Sequence, residues 1–281
     1  MEQLPYGFIK HLAKKKYGTK TLESYEKVLS QFFSFLNGYY KKSIEPFEIL
    51  PRDIKNYLEY QLKVNEKQIT TVNKELAILK TFFHYLWEKD IVMVDPTVKI
   101  RRLKPEQEPN QIDVSYPEIQ EALKKVLENN NYTLVRKAVF ILATKGLKTS
   151  EFRFKKDDVT IINDDWVNIV THNRSIDLKE EEARYFLEYY NSILDSDTPY
   201  VFTTTRRTSK EKVPVEVMSI LHHLRAISTD YFPDKRQLTL LGIRKALMLH
   251  MYSEGIPIQK IAEFFGIEEN SVANYVGTTQ N

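Results

Sequence analysis

Apolar side chains recur every three or four residues through much of the chain, a pattern typical of helices that bury one face. In the first hundred residues the pattern appears three times, after Thr19, Pro51 and Asn65. The first of these helices is predicted to end near Asn37–Gly38, and Asp95–Pro96 ends the last pattern. The apolar faces comprise Leu22, Tyr25, Leu29, Phe32 and Leu36; Ile54, Tyr57, Leu58 and Leu62; and Val72, Leu76, Leu79, Phe83 and Leu86.

The second half combines helical patterns with short strand-like runs. One helix is predicted to begin at Tyr116–Pro117 and another to lie around Val217–Leu224. The runs Trp166–Val170 and Ser175–Leu178 are separated by four residues and predict a β-hairpin, and a further strand is predicted at Tyr200–Thr203.

These elements predict a mainly α fold, α+β overall, in two domains. Residues 1–103 are predicted to form a helical bundle of four or five helices, and residues 104–115 an extended linker. Residues 116–281 are predicted to form a mostly helical domain with a small antiparallel sheet. The length of 281 residues is sufficient for two ordinary domains.

The stretch Thr239–Val276 contains the most informative local pattern. Apolar residues from Leu240 onwards have helical spacing, and Gly255–Pro257 ends that helix. A second helix ends at Gly266, and a short third one carries Tyr275. Two helices joined by a tight turn of this kind are typical of a helix-turn-helix, so this pattern favours DNA binding.

Charge is distributed unequally along the chain. Residues 1–104 carry 19 Lys and Arg against 12 Asp and Glu, a net charge of +7, whereas the remainder carries 22 against 26, a net charge of −4. A basic N-terminal half favours a polyanionic partner, although a solvated lysine surface explains the charge equally well. The absence of Cys excludes disulfides and thiol catalysis, and agrees with an expected cytoplasmic location.

Two segments of the second half resemble motifs of the tyrosine recombinase (phage integrase) family. Residues Thr144–Glu151 resemble the family's T-G-L-R-x-S-E motif, with Lys148 in the place of its arginine. Arg244 occupies the arginine place of the family's His-x-x-Arg motif, and Tyr275 that of its nucleophilic tyrosine. The resemblance spans residues about 15–276.

The first half resembles the SAM-like core-binding domain that precedes the catalytic domain in this family. The matching features are Thr21 and Tyr25 at a helix start, Thr70–Thr71 before a later helix, Phe82–Leu86, and Asp95–Pro96. The resemblance implies that helices of this domain enter the major groove while the second domain closes over the other face of the duplex.

The chain departs from the family at the residues that move protons. The resemblance implies cleavage by attack of the tyrosine phenol on a phosphodiester, with two arginines holding the phosphate and histidines and a lysine transferring protons. Leu241 and Ile267 stand where histidines are expected. The predicted hairpin turn contains no lysine, and His172 and Arg174 are alternative substitutes for it.

These departures favour a DNA-binding protein that has lost strand cleavage and acts as a repressor or regulator of a phage or mobile element. The first alternative is an active but divergent recombinase that uses Tyr275, Arg244, Lys148 and a hairpin residue. The second is a plain helix-turn-helix regulator. The sequence predicts vestigial catalytic positions at Lys148, Arg244 and Tyr275 and lost ones at Leu241 and Ile267.

The resemblance implies double-stranded DNA as partner and requires neither a metal nor another cofactor. Only six residues follow Tyr275, so a monomer or dimer is expected rather than a cyclic tetramer. The sequence predicts no membrane partner and identifies no peptide or protein antagonist. The predicted DNA-contacting residues are Thr70, Thr71, Asn73, Lys74, Lys80, Arg101, Arg102, Lys148, Arg174, Arg206, Arg207 and Arg244.

Overall fold

The computed structural model describes residues 5–104, 114–172, 174–206, 209–235 and 237–277. The chain divides into two compact units, residues 1–108 and residues 109–281. The boundary between the two units lies within residues 104–115.

The first unit is a bundle of helices around an aromatic core. The helices are α1 (Phe8–Lys14), α2 (Thr19–Tyr40), α3 (Pro51–Lys63) and α4 (Ile69–Glu88), with a short 3-10 turn at Pro46–Glu48. Phe32 packs edge-on against Tyr57 and Phe83, which joins α2, α3 and α4. The predicted bundle is confirmed. Only α1 had no sequence signal, because just Phe8 and Leu12 of its seven residues are buried.

A buried polar network crosses this core. The carboxylate of Glu75 accepts hydrogen bonds from the Tyr57 hydroxyl at 3.1 Å and from Lys67 Nζ at 2.6 Å. Burial and the charge of Glu75 together raise the pKa of Tyr57, so this phenol stays protonated. The network satisfies the buried carboxylate on α4 and fixes the spacing of α3 and α4.

The second unit is organised around a helix that is buried on almost every side. Its helices are α5 (Tyr116–Glu128), α6 (Leu134–Thr144), α7 (Glu181–Ile193), α8 (Val217–Tyr231), α9 (Leu240–Ser253), α10 (Ile258–Phe265) and α11 (Glu269–Gly277). All residues of α6 from Lys137 to Thr144 are buried, and α6 packs against α5, α7, α8 and α9. The side chain of Thr133 caps the start of α6 by accepting a hydrogen bond from the Arg136 N–H.

The strands of the second unit form two small antiparallel sheets. The first has the order β1 (Val159–Asn163), β2 (Trp166–Val170) and β3 (Ser175–Lys179), and the second pairs β4 (Thr203–Thr205) with β5 (Lys212–Pro214). The predicted hairpin is confirmed: Val167 faces Leu178 and Ile169 faces Ile176 on the buried side.

The sequence misplaced or missed several elements of this unit. The strand predicted at Tyr200–Thr203 is wrong in its limits, because Val201 and Phe202 are buried ahead of a strand that begins at Thr203. Both side chains belong to the core, while the Val201 N–H bonds to the Phe154 carbonyl oxygen at 3.3 Å and the Phe202 carbonyl oxygen accepts the Val215 N–H at 3.0 Å. Strands β1 and β5 and helix α7 are not among the predicted elements.

No helix in the described ranges is both long enough and apolar enough to cross a membrane. In the same part of the chain, no group of three or more His, Cys, Asp or Glu side chains is arranged to hold a metal ion.

Candidate functional site

The site lies where α6 ends, at a glycine that no other residue could replace without strain. Gly146 has a φ of +73°, in the left-handed region that glycine adopts most easily. A Cβ atom at this position would lie 2.5 Å from Cε1 of Phe265, which belongs to α10. The glycine therefore permits both the sharp reversal after α6 and the close approach of the Phe265 ring.

Arg244 reaches this reversal from the first turns of α9. Its Nη1 donates to the carbonyl oxygen of Gly146 at 2.6 Å and its Nη2 to the carbonyl oxygen of Phe265 at 3.0 Å. The guanidinium carbon also lies 4.5 Å from the centroid of the Phe265 ring. Arg244 thus connects the end of α6 to the end of α10.

Arg174 makes a parallel connection from the β2–β3 hairpin. Its Nη2 donates to the carbonyl oxygen of Lys145 at 3.1 Å, and its Nη1 donates to the carbonyl oxygen of Phe264 at 3.0 Å. Its Nε donates to Oε1 of Glu151 at 3.1 Å. The two arginines consequently bind adjacent carbonyls at the ends of the same two helices.

Glu151 lies between the two guanidinium groups. Its Oε2 accepts the Lys148 N–H at 2.8 Å and lies 3.6 Å from Nη1 of Arg244. The side chains of Glu151, Arg174 and Arg244 are 2%, 4% and 9% exposed. We call these three side chains the arginine clasp.

The electrostatics of the clasp are nearly balanced. Two guanidinium charges face one carboxylate and the C-terminal ends of α6 and α10, each equivalent to about half a negative charge. Burial lowers the pKa of Arg174, an effect that Glu151 opposes. Burial also lowers the pKa of Arg244, and the neighbouring Arg174 lowers it further, while Glu151 and Tyr275 act in the opposite direction.

Tyr275 lies on α11, close enough to Arg244 to act on its pKa. The ring is half-buried against the apolar cluster formed by α9, α10 and α11. Nζ of Lys245, the residue after Arg244, lies 5.2 Å from the centroid of the Tyr275 ring. The structure therefore brings Arg244 and Tyr275 together, and adds a lysine that the sequence did not single out.

The remaining catalytic-type positions surround the clasp without entering it. Lys148 is half-buried, and only its backbone N–H is joined to Glu151. Leu241 is 53% exposed on α9, and Ile267 packs against the apolar cluster of α9 to α11. Of the two hairpin alternatives, His172 is exposed in the turn.

The candidate DNA-contacting residues of the first unit differ in what their side chains can reach. Thr70, Thr71 and Lys74 are exposed in the first turns of α4, and Lys80 is half-buried. Asn73 is already engaged: its Nδ2 donates to the Leu103 carbonyl oxygen and its Oδ1 accepts the Leu103 N–H, each at 2.8 Å. Its predicted role as a base-reading residue would require both bonds to break.

The basic candidates outside the helices are less constrained. Arg101 and Arg102 are exposed, close to the segment that Asn73 anchors, and Arg206 is exposed after β4. Arg207, also predicted to contact DNA, lies outside the described residues.

Two features of the site are not among those predicted from the sequence. The clasp joins Arg244 to Gly146 across 98 residues and Arg174 to Phe264 across 90, and its acceptors are backbone carbonyls. Lys245 carried a usable signal, because it directly follows Arg244 and lies one helical turn after Leu241.

Comparison with known proteins identifies the fold. Residues 6–92 match the family described as phage integrase, N-terminal SAM-like domain. A lambda integrase dimer bound to a COC′ core site aligns with 96% of this chain and 92% of that chain, with a TM-score of 0.68 and 14% identity. A Tn1549 transposon integrase in complex with circular intermediate DNA aligns with 95% of this chain and 94% of that chain, with a TM-score of 0.70 and 15% identity.

A third solved structure and two curated relatives agree with this fold. The XerH site-specific recombinase bound to its palindromic difH substrate aligns with 97% of this chain and 81% of that chain, with a TM-score of 0.72 and 12% identity. Tyrosine recombinases XerC of Staphylococcus aureus strains MSSA476 and JH9 are each 30% identical over 163 residues, which are 57% of this chain and 53% of each relative. The chain thus spans about half the length of the curated relatives that it matches.

The fold is that of integrases and site-specific recombinases. Residues 6–92 match the phage integrase N-terminal SAM-like family, and the chain as a whole is similar in fold to tyrosine recombinases and integrases.

Proposed function

We propose that this chain is a sequence-specific double-stranded DNA-binding protein on the tyrosine recombinase fold, and that it does not cleave its DNA site efficiently. The observation that carries this proposal is the arginine clasp. Arg244, which stands at a phosphate-binding position of the family, donates instead to the carbonyls of Gly146 and Phe265. These two bonds use two of the five N–H donors of a guanidinium that is only 9% exposed, so a scissile phosphate meets a donor group that is already partly engaged and largely buried.

Two positions at which the family carries proton-transferring residues also lack the means to transfer protons. Leu241 and Ile267 can neither donate nor accept a proton, and a positioned acid or base contributes about 10²–10⁴-fold to a rate. Lys148 retains a positive charge, but it lacks the planar fork with which an arginine holds two phosphate oxygens. A missing donor of this kind costs a further factor of about 10²–10³.

DNA binding itself remains well supported by the first unit. Its net charge of +7 over residues 1–104 favours contact with a polyanion. Thr70, Thr71 and Lys74 are exposed together at the start of α4, where their side chains could contact base edges or phosphates. A protein that occupies a duplex site without cutting it is suited to repress or regulate a phage or mobile element, and we extend the proposal to that role.

A second candidate is an active recombinase that uses Tyr275 as nucleophile. The proximity of Tyr275 to Arg244, and of Lys245 to the tyrosine ring, favours it. The matched relatives are named tyrosine recombinases, which agrees with this alternative.

The two candidates differ in whether a covalent bond to DNA forms. The full-length protein is first used to select its preferred duplex from fragmented genomic DNA, and the selected duplex is then nicked near its centre so that a cleaved product is trapped. After denaturation, we expect no protein–DNA adduct, and we expect Tyr275→Phe to bind the duplex as tightly as the wild type. A covalent adduct formed by the wild type and lost in Tyr275→Phe would overturn the proposal in favour of the active enzyme.

A further inference from the structure

Lys245 is a cation beside Tyr275 that does not belong to the clasp. It is half-buried on α9 and directs its Nζ over the Tyr275 ring on α11. Within the described ranges, the Lys245 ammonium group forms neither a salt bridge nor a hydrogen bond to a side chain. Its Nζ instead lies 5.2 Å from the centroid of the Tyr275 ring.

The surroundings of Lys245 differ from those of the neighbouring cations. The guanidinium of Arg244 is bonded to two carbonyls, and Lys145 is paired with Glu182 at 2.6 Å. Lys245 lies four residues after Leu241, so the two side chains are neighbours on one face of α9. Because Leu241 is 53% exposed, this face is open to a ligand at the position where the family has a histidine.

We propose that Lys245 binds a backbone phosphate of the DNA duplex at this site, in place of the arginines held in the clasp. The inference rests on the proposed function, since it assumes that a duplex reaches Tyr275. The ammonium group acts as a point charge that neutralises a phosphate and donates hydrogen bonds to its oxygens. Contact with the Tyr275 ring restricts the long side chain beforehand, which lowers the entropy lost on binding. No bond is made or broken in this role.

The salt dependence of binding distinguishes a phosphate contact from a structural role. Each neutralised phosphate contributes about −0.9 to the slope of log affinity against log salt concentration. We would measure this slope for the full-length protein on the selected duplex, between roughly 50 and 200 mM KCl. Lys245→Gln and Lys245→Met remove the charge while retaining an unbranched side chain, and Lys245→Arg retains the charge.

Lys124 provides a matched control in the same unit. It is exposed on α5 and lines a cavity with four carboxylates and the cations Lys179 and Arg184, so its charge is already balanced by acidic neighbours. We expect Lys124→Gln to leave the slope unchanged. We expect both neutral variants of Lys245 to lose about 0.9 from the slope, and Lys245→Arg to restore it.

The outcomes separate this inference from the proposed function. If the neutral Lys245 variants bind more weakly but keep the wild-type slope, Lys245 has a structural role and the inference is wrong. If the wild type shows no salt-dependent, sequence-specific binding to any duplex, the proposed function itself is wrong. Thermal unfolding of each variant identifies any that fails to fold, and the slope is then judged on the other neutral variant.

Discussion

Glu151 is the group whose replacement tests the arginine clasp most directly. The change Glu151→Gln retains the shape of the side chain and leaves one oxygen that can accept from Arg174. It removes the only carboxylate between two buried guanidinium groups. It also turns the other oxygen into an amide donor that faces the N–H of Lys148, with which it cannot bond.

The expected loss of stability follows from this geometry. Removing one partner of a buried ion pair costs about 3–5 kcal/mol, because the remaining charge stays buried without compensation. The side chain of Glu151 is only 2% exposed, so water does not screen the two arginines effectively. For a unit of this size, about 2–4 °C of melting temperature is lost per kcal/mol, which gives a decrease of about 6–20 °C.

The chain contains two tryptophans, and each unit has one of them, which makes a specific assay available. In a Trp87→Phe background, fluorescence reports only Trp166 on β2, and hence unfolding of the second unit. Urea titrations then give the free energy of unfolding for this unit with and without Glu151→Gln. Glu121→Gln is the matched control, because the Glu121–Lys125 pair is 2.8 Å long but both side chains are more than half exposed. The control should lose less than about 1 kcal/mol.

A loss below about 1 kcal/mol for Glu151→Gln would refute the reasoning, because it would place the clasp among ordinary surface ion pairs. An equal loss in a Trp166→Phe background, where Trp87 reports the first unit, would also contradict it.

Three further predictions concern single positions. Gly146→Ala should destabilise the second unit by roughly 2–4 kcal/mol, since it combines a strained φ with a clash against Phe265. Trp166 fluorescence measures the free energy of unfolding of this unit, and adding Phe265→Leu to the same chain should recover part of the loss. Burial, together with nearby positive charge, lowers the pKa of His223 to about 4. The contribution of His223 to stability is therefore complete above pH 6.5 and is lost as the pH falls through about 4. In urea titrations the wild type should lose stability over this interval relative to His223→Phe, and parallel pH profiles of the two proteins would contradict the prediction. Asn73→Ala should weaken binding to specific and random duplexes equally, because it frees the segment at Leu103. Lys74→Ala should lower the affinity for the specific duplex by roughly 1–3 kcal/mol if Lys74 contacts a base. If Asn73→Ala instead lowered the affinity for the specific duplex more than that for random DNA, Asn73 would be a base-reading residue after all.

The elements that the sequence predicted well are those whose burial follows a regular period. The helices at Thr19–Tyr40 and Tyr116–Glu128, and the strands of the β2–β3 hairpin, each bury one face, so the spacing of apolar residues is sufficient to identify them. Gly38 did not end α2 as predicted, because a glycine stops a helix only where the chain needs a positive φ, and none occurs there.

The elements that the sequence missed lack such a period or are very short. Strand β1 is an edge strand whose residues are mostly exposed, so no alternation marks it. Helix α7 does have a readable pattern, with Ala183, Phe186 and Tyr190 buried and acidic residues in its first turn. This pattern is sufficient to predict a helix that buries one face.

At the candidate site, the sequence predicted which residues lie close together better than it predicted what their side chains bind. Arg244 and Tyr275 do lie near each other, because the spacing between α9 and α11 along the chain fixes how these helices pack. What Arg244 bonds to depends on the path of the backbone at Gly146 and Phe265, and no pattern of side chains specifies that path. Arg174 was one of two residues predicted to substitute for a proton-donating lysine. Its side chain instead donates hydrogen bonds to two backbone carbonyls and to Glu151.

Binding and cleavage place different demands on this pocket. To bind a phosphate, the pocket needs a positive charge within reach, and Lys245 supplies one on the open face of α9. To cleave the bond, it also needs donors that engage the phosphate more strongly in the transition state, and a group that protonates the leaving oxygen. Arg244 donates two of its five N–H groups to the carbonyls of Gly146 and Phe265, and Leu241 has no proton to give. The same two bonds connect the end of α6 to the end of α10, so any movement of the guanidinium towards a phosphate would strain this connection. The proposed function therefore predicts that the clasp favours affinity for DNA over turnover.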